Sequence, residues 1–305
     1  MVCAVTMCES GDPVLAEIAL RSGGITGRVL ARGEGWHVAD AVCTAGPRDR
    51  PYEERHGDVS IAIVISGTFE YHCSTGRELM TPGSLFLGAA GECFECGHRH
   101  GTGDRCLSFQ FAPEYFERLA ADAGAAGSRP PFRSSRLPPL RALSPVVARA
   151  CAELARPTGS GWERQRLEEI AIDLATRVLE VVGASSRAGA SPPPGAVARL
   201  TRVVREIERA PDAERSLARL AREVNLSPFH FLRTFQRLTG VTPHQYIRRT
   251  RLRAAAVRLA IEPARVIDVA LDCGFGDVSN FNRAFRAEFG VSPSAYRGRA
   301  SFRGR

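Results

Sequence analysis

The sequence contains no lysine: all 41 of its Lys+Arg positions are arginine, set against 33 Asp+Glu. That absence fits a compositionally biased genome as well as any function, so it selects no activity. Long hydrophobic runs are missing too. No stretch approaches the roughly 20 apolar residues of a membrane span, and Met1 to Leu20 carries Glu9, Asp12 and Glu17 where an export signal would place a basic start and an apolar segment. These absences argue against a membrane protein and predict a cytoplasmic address. A disulfide framework is also absent. The nine cysteines, at positions 3, 8, 43, 73, 93, 96, 106, 151 and 273, are odd in number and scattered, a pattern of core thiols, metal ligands or redox switches.

What is present is a composition of 44 % hydrophobic and 24 % charged residues, that of a globular chain rather than a disordered or collagen-like one. Its 305 residues suffice for two domains, each with a core. The charge divides between them. From Ala196 onward 21 arginines face 10 acids, a net of +11, which leaves 20 against 23, or −3, for residues 1–195. The carboxyl-terminal third is therefore the part that should seek a polyanion. Between the halves, residues 183–195 are small and proline-rich, with Pro192, Pro193 and Pro194 in a row; such a segment buries no core and reads as a linker.

The carboxyl-terminal part repeats itself. At an offset of 50, Phe231, Arg233, Phe235, Gly240, Val241, Pro243 and Tyr246 recur as Phe281, Arg283, Phe285, Gly290, Val291, Pro293 and Tyr296. Seven identities in sixteen positions mark an internal repeat. Each copy reads as helix, tight turn, helix. Leu217, Leu220, Ala221 and Val224 make an apolar stripe on a short helix. Asn225 and Gly274 suit a left-handed turn residue. Ser227 is a helix cap followed by Pro228, and Asp277 caps the second copy. Phe231, Phe235 and Leu238, like Phe281, Phe285 and Phe289, form the core face of the second helix. The opposite face carries Phe229, Leu232, Arg233 and Gln236 in one copy and Ser279, Asn282, Arg283 and Arg286 in the other. Arginine reads guanine and asparagine reads adenine in the major groove, so these are the faces of recognition helices.

The stretches Ser216–Phe235 and Gly274–Arg297 resemble the DNA-binding domain of the AraC/XylS family of bacterial transcription regulators, a likeness that covers about residues 200–297. The resemblance implies two helix-turn-helix units joined by one long helix, with both recognition helices entering successive major-groove segments of promoter DNA. By matching position it implies base contacts from Phe229, Leu232 and Arg233 and from Ser279, Asn280, Asn282 and Arg283. Leu232 departs from the polar residue often found there, which shifts that unit toward thymine methyls or DNA shape. The connecting helix is predicted over Pro243–Ile261. Its Arg248, Arg249, Arg251 and Arg253 either touch phosphate or form a solvated side.

Residues 25–112 instead show short alternating or apolar runs between turn residues. Val59–Ile65, Ser66-Gly67 and Thr68–Cys73 read as a hairpin, Gly83–Leu87 and Cys106–Phe111 as further strands, and the set as a barrel or jelly roll. It resembles the cupin-like sensor domain of the same family. The metal ligands usual in cupin enzymes are replaced: Glu53, Glu54 and His56 stand at the first cluster and Phe94 near the later histidine. In their place Cys93, Cys96, His98, His100 and Cys106 fall within 14 residues. They are candidate ligands for zinc or another thiophilic metal, with His72 and Cys73 in reserve. The same residues also read as a Cys93–Cys96 redox pair or as plain core thiols and loop histidines. No cofactor is certain. Helices are predicted over Pro113–Leu119, Leu143–Leu154 and Trp162–Val182, the last with a broad apolar surface; the resemblance implies that such helices pack on the barrel or mediate a homodimer.

The sequence thus predicts an α+β two-domain chain. A cupin-like β-barrel sensor spans 1–130, a helical dimerisation or packing segment 131–182, a linker 183–195, and an all-α domain with two helix-turn-helix units 196–305. The expected function is an effector-responsive, sequence-specific transcription regulator with no enzymatic activity. It would act on double-stranded promoter DNA as a homodimer, with RNA polymerase as partner if it activates; the small effector is unassigned. A metal-dependent cupin enzyme fused to a DNA-binding domain is the alternative, and a DNA-repair alkyl acceptor with a zinc-bound thiolate a third reading.

Overall fold

A computed structural model of the chain describes residues 17–18, 24–125, 132–156, 163–184 and 195–302. Most of the proposed linker, like Cys3 and Cys8, lies outside the described residues. The first half is built of β1 (Glu17–Ile18), β2 (Ile25–Gly33), β3 (Trp36–Cys43), β4 (Tyr52–Arg55), β5 (Val59–Gly67), β6 (Phe69–Cys73), β7 (Gly76–Met80), β8 (Leu85–Gly88), β9 (Cys93–Gly97), β10 (Asp104–Phe111) and β11 (Arg136–Leu137). A seven-stranded antiparallel sheet runs β1-β2-β3-β10-β5-β8-β11, and a four-stranded one runs β4-β9-β6-β7.

The two faces of the large sheet have different tasks. Val38, Ile61, Ile63, Leu107, Phe109 and Phe111 share one apolar cluster with helices α1 (Pro113–Asp122), α2 (Ser144–Leu154) and α3 (Glu163–Ala184). The alternate residues Val64 and Cys106 face the other way, into a cluster with Phe69, Tyr71, Cys73, Met80 and Cys96 of the small sheet. This period of two is what a strand dictates, and it places every even-numbered side chain of β10 inside the barrel. Because β5 is covered on both faces, Val59 to Val64 are all buried, which explains why they read as a continuous apolar run.

The predicted hairpin over 59–73 is wrong. β5 pairs with β10 and β8, whereas β6 pairs with β7 and β9. Ser66-Gly67 is the place where the chain leaves one sheet for the other. Gly67 has φ +79°, and a Cβ there would lie 2.3 Å from the Gly103 carbonyl, so glycine is required for the crossing rather than for a two-residue turn.

The second half is all helix: α4 (Ala196–Arg209), α5 (Leu217–Glu223), α6 (Pro228–Thr239), α7 (Pro243–Ile261), α8 (Val266–Asp272), α9 (Val278–Phe289) and α10 (Pro293–Phe302). One core gathers α4–α6 with Tyr246 and Ile247; a second gathers Leu252, Ala255, Ala256 and Leu259 of α7 with α8 and α9. Ala148 of α2 belongs to that second core, so the helix following the barrel is shared by both halves. The apolar stripe of α3, from Leu167 to Leu179, is spent on the barrel; Ile172, 39 % exposed, is its large apolar side chain left outward.

Candidate functional site

The paired helix-turn-helix units are fixed by local chemistry. Asn225 adopts φ 53° and Gly274 φ +83° at the turns, the left-handed backbone that Asn tolerates and Gly adopts without strain. Ser227 Oγ accepts from the His230 amide at 3.3 Å and Asp277 Oδ1 from the Asn280 amide at 2.6 Å, satisfying amides that a helix start leaves unpaired. Gly240 and Gly290 end α6 and α9 in the left-handed conformation. Inside, Phe231 and Phe235 pack at 5.6 Å between ring centroids and Phe281 and Phe285 at 5.4 Å. The repeat in the sequence is thus a repeat in space.

Its outward face is the predicted one. Phe229, Arg233 and Gln236 on α6 and Ser279, Asn280, Asn282, Arg283 and Arg286 on α9 are exposed, and Leu232 is half-buried. Phe229 is 69 % exposed, a cost in water unless something covers it. The Arg233 guanidinium lies 5.6 Å from its ring centroid, a cation–π contact that holds both side chains on one surface. Leu232 and Asn280 line a shared cleft between the two units together with Arg248.

Three of the four α7 arginines serve neither of their predicted roles. Arg251 donates to the carbonyls of Pro211 and Gly274 at 2.6 Å each, tying the loop before α5 to the turn of the second unit. Arg253 donates to both Glu208 carboxylate oxygens, of which Oε1 also accepts from Tyr246 and Thr250. Arg249 donates to the Pro139 carbonyl at 2.6 Å and lies 3.3 Å from the buried Glu288 carboxylate, an ion pair rather than an aligned hydrogen bond. Only Arg248 is exposed. Spacing along a helix shows which residues share a face but not that a neighbouring loop covers it.

The two halves touch through polar staples. Arg136 donates to the Thr239 carbonyl at 2.7 Å, the Tyr246 hydroxyl shares its one proton between Glu208 and the Pro82 carbonyl at 3.2 Å, and Arg205 of α4 donates to the carbonyls of Thr102 and Gly103 at 2.9 and 3.1 Å. A change in the barrel therefore has direct routes to the helical half.

The predicted Cys/His ligand set is split. Cys93 and Cys96 are three apart on β9, so they point to opposite faces of the strand: Cys93 is exposed and Cys96 buried in the barrel. One metal cannot take both thiols there, nor can they close a disulfide without breaking β9. His100 is exposed, 3.8 Å from Glu70, and His72 points outward. Cys73 is buried against Thr75. Cys96, His98 and Cys106 do face inward, and Cys106 donates to Asp104 Oδ2 at 3.3 Å. Joining them are two residues that spacing did not reveal. Cys43, at the end of β3, is the register partner of Asp104 on β10. His98 Nδ1 lies 4.0 Å from Cys43 Sγ and Nε2 2.5 Å from Asp104 Oδ1. Burial disfavours charge on His98, but the hydrogen bonds to Asp104 and Cys43 outweigh it and raise its pKa to about 9.

His56, which the resemblance puts at the first cupin ligand cluster, is hydrogen bonded to the Tyr71 hydroxyl at 2.8 Å and stacked on Phe94 at 4.2 Å. Burial lowers its pKa to about 4 against the opposing pull of Glu92. Tyr71, Phe86 and Phe94 stack around it, so aromatic side chains fill this end of the barrel. Cys273, which follows α8 as Val224 follows α5, is buried in the second helical core.

Comparison with known proteins gives two family matches: "Helix-turn-helix domain" over residues 220–299 and "AraC-like ligand binding domain" over residues 44–175. The regulatory protein SoxS of Salmonella typhimurium is 38 % identical over 80 residues, which are 26 % of this chain and 75 % of SoxS. The HTH-type transcriptional regulator MtrA of Neisseria gonorrhoeae is 30 % identical over 99 residues, 32 % of this chain and 33 % of MtrA. The chain spans about a third of the length of several such curated relatives. Among solved structures, the DNA-binding domain of AdpA in complex with a target DNA aligns at 30 % identity and TM-score 0.34 over 34 % of this chain and 95 % of that one. Apo ToxT from Vibrio cholerae aligns at 12 % identity and TM-score 0.36 over 88 % and 98 %.

Proposed function

Because this chain belongs to the AraC/XylS family of transcription regulators, we propose that it binds promoter DNA sequence-specifically through α6 and α9 and responds to an effector through its barrel. The carrying observation is the duplicated exposed face: Phe229, Arg233 and Gln236 on one recognition helix, Asn280, Asn282, Arg283 and Arg286 on the other, in a segment of net charge +11. Arg233 and Arg283 occupy equivalent positions of the two units, so each reads one half of a bipartite site. Arg248, exposed and lining the cleft between the units, is assigned here to a phosphate contact.

We assign the barrel no catalytic step, because the His56 imidazole is engaged by Tyr71 and covered by Phe94. The regulator acts as a homodimer, for which Ile172 on the outer side of α3 offers an apolar contact, in the cytoplasm, and contacts RNA polymerase where it activates. Fluorescence anisotropy with duplexes from upstream of the chain's own gene tests the reading. Binding that falls steeply with salt and discriminates a matching duplex from a scrambled one supports it; equal affinity for both at every salt concentration sinks it.

A further inference from the structure

The side-chain cluster of Cys43, His98, Asp104 and Cys106 lies beside the segment that Arg205 of the helical half grips, and it differs from the rest of the interior. Elsewhere the inner cluster holds Phe69, Tyr71, Cys73, Met80 and Cys96 with no carboxylate among them; here two thiols, an imidazole and a carboxylate converge from three separate places in the chain. Cys43 comes from the end of β3, His98 from the residue after β9, and Asp104 and Cys106 from β10. The donor atoms of Cys43, His98 and Asp104 lie within 4.8 Å of one another, and Cys106 Sγ is 3.3 Å from Asp104 Oδ2. Ligand atoms on a tetrahedral zinc stand about 3.4–3.8 Å apart, so a contraction of about an ångström closes the triad of Cys43, His98 and Asp104; Cys106, held to the triad through Asp104, would complete the set by turning its thiol from that carboxylate to the ion. Cys43, His98 and Cys106 are 5 %, 4 % and 5 % exposed, which keeps competing water away.

We propose that Cys43, His98, Asp104 and Cys106 bind a thiophilic divalent ion of the zinc class, and that the loop joining His98 to Asp104 passes its occupancy to the DNA-binding half through Arg205. Two sulfurs, one nitrogen and one oxygen are a donor set for Zn²⁺ and disfavour Mg²⁺ or Ca²⁺. The transmission is local. Arg205 takes its acceptors, the Thr102 and Gly103 carbonyls, from the segment between two ligands, and it also donates to Thr68 Oγ1 at 3.2 Å. The segment is shaped to receive it: a Cβ on Gly101 would lie 2.4 Å from the Arg205 guanidinium. Drawing His98 and Asp104 toward an ion moves these carbonyls and re-sets the hold on α4. The coupling, though not the binding, rests on the regulator reading above.

The test uses the reduced full-length protein with Co²⁺ as a spectroscopic probe. A tetrahedral site with two thiolates gives visible d–d bands and a near-ultraviolet sulfur-to-metal band. The expected result is that this band roughly halves in Cys43→Ser and in Cys106→Ser and is unchanged in Cys93→Ser, each variant checked for a wild-type circular dichroism spectrum. No Co²⁺ spectrum, or one lost with Cys93 but indifferent to Cys43 and Cys106, overturns the site. Zn²⁺ is then added in the anisotropy assay. A tenfold or greater change in DNA affinity in the wild type, shrinking below twofold in Arg205→Ala, supports the coupling; an unchanged affinity overturns it. If no duplex is bound under any condition, the regulator reading fails while the cobalt spectrum still judges the site.

Discussion

His56 makes the stability of the barrel depend on pH in a calculable way. In the unfolded chain its imidazole titrates near 6.5; in the fold, burial brings it to about 4. A drop of that size favours the neutral folded form by about 3 kcal/mol, at about 1.4 kcal/mol for each tenfold. Between these values the unfolded chain binds the proton and the folded one does not, so stability is highest above about pH 6.5 and is lost as pH falls toward 4. His98 acts in the opposite sense and in another window: its folded pKa of about 9 lies above 6.5, so its contribution is whole below 6.5 and is lost as pH rises through 9. Carboxylates titrate in the acid window too, and a difference measurement removes them. Urea unfolding of wild type and His56→Gln, compared between about pH 7 and 4.5, should show the wild type losing about 2–3 kcal/mol more than the variant. Gln keeps a hydrogen-bonding group near Tyr71 and has no charge to gain. Parallel pH dependences for the two proteins would refute the assignment of a neutral, buried imidazole.

Removing the α9 cap with Asp277→Ala should cost about 1 kcal/mol in urea unfolding, with Asp277→Ser restoring most of it; equal losses in both would show that the cap hydrogen bond to Asn280 contributes little. Glu288→Ala leaves the mostly buried Arg249 without its ion-pair partner and should destabilise by about 3–5 kcal/mol, whereas Glu288→Leu with Arg249→Met should recover much of that. Thermal melts of the three proteins check the order. Gly101→Val places methyl groups against the end of the flexible Arg205 side chain. Stability should change little, while amide hydrogen exchange in α4 should rise as the staple between the halves opens; unchanged exchange would show that Arg205 does not fasten them.

The helical half was legible because its determinants are local. Ser227, Asp277, Asn225 and Gly274 act within a few residues of themselves, and the offset of 50 carries the same caps and phenylalanines into both units. The barrel was legible as strands but not as pairings. Ser66-Gly67 looks like a hairpin turn, and only the packing of Gly67 under Gly103 shows it to be a crossing between sheets. The thiol pocket failed for the same reason. The Cys93–Cys96 spacing suggests a shared ligand site in a loop, but on a strand three residues reverse the direction of the side chain. Cys43 meets Asp104 only through the register of β3 with β10, a contact made by topology. The arginines of α7 point to acceptors such as Pro139 and Glu208 on other elements, which helical periodicity does not locate.

The most direct test of base reading by the two equivalent arginines is selection of binding sites from a random duplex pool by wild type, Arg233→Ala and Arg283→Ala. The wild type should select a two-block motif, with blocks about one helical turn apart. Each variant should relax one block only, at a cost of about 1–3 kcal/mol against its preferred base. No enriched motif, or both variants weakening all sequences alike without relaxing either block, would contradict base reading by these arginines.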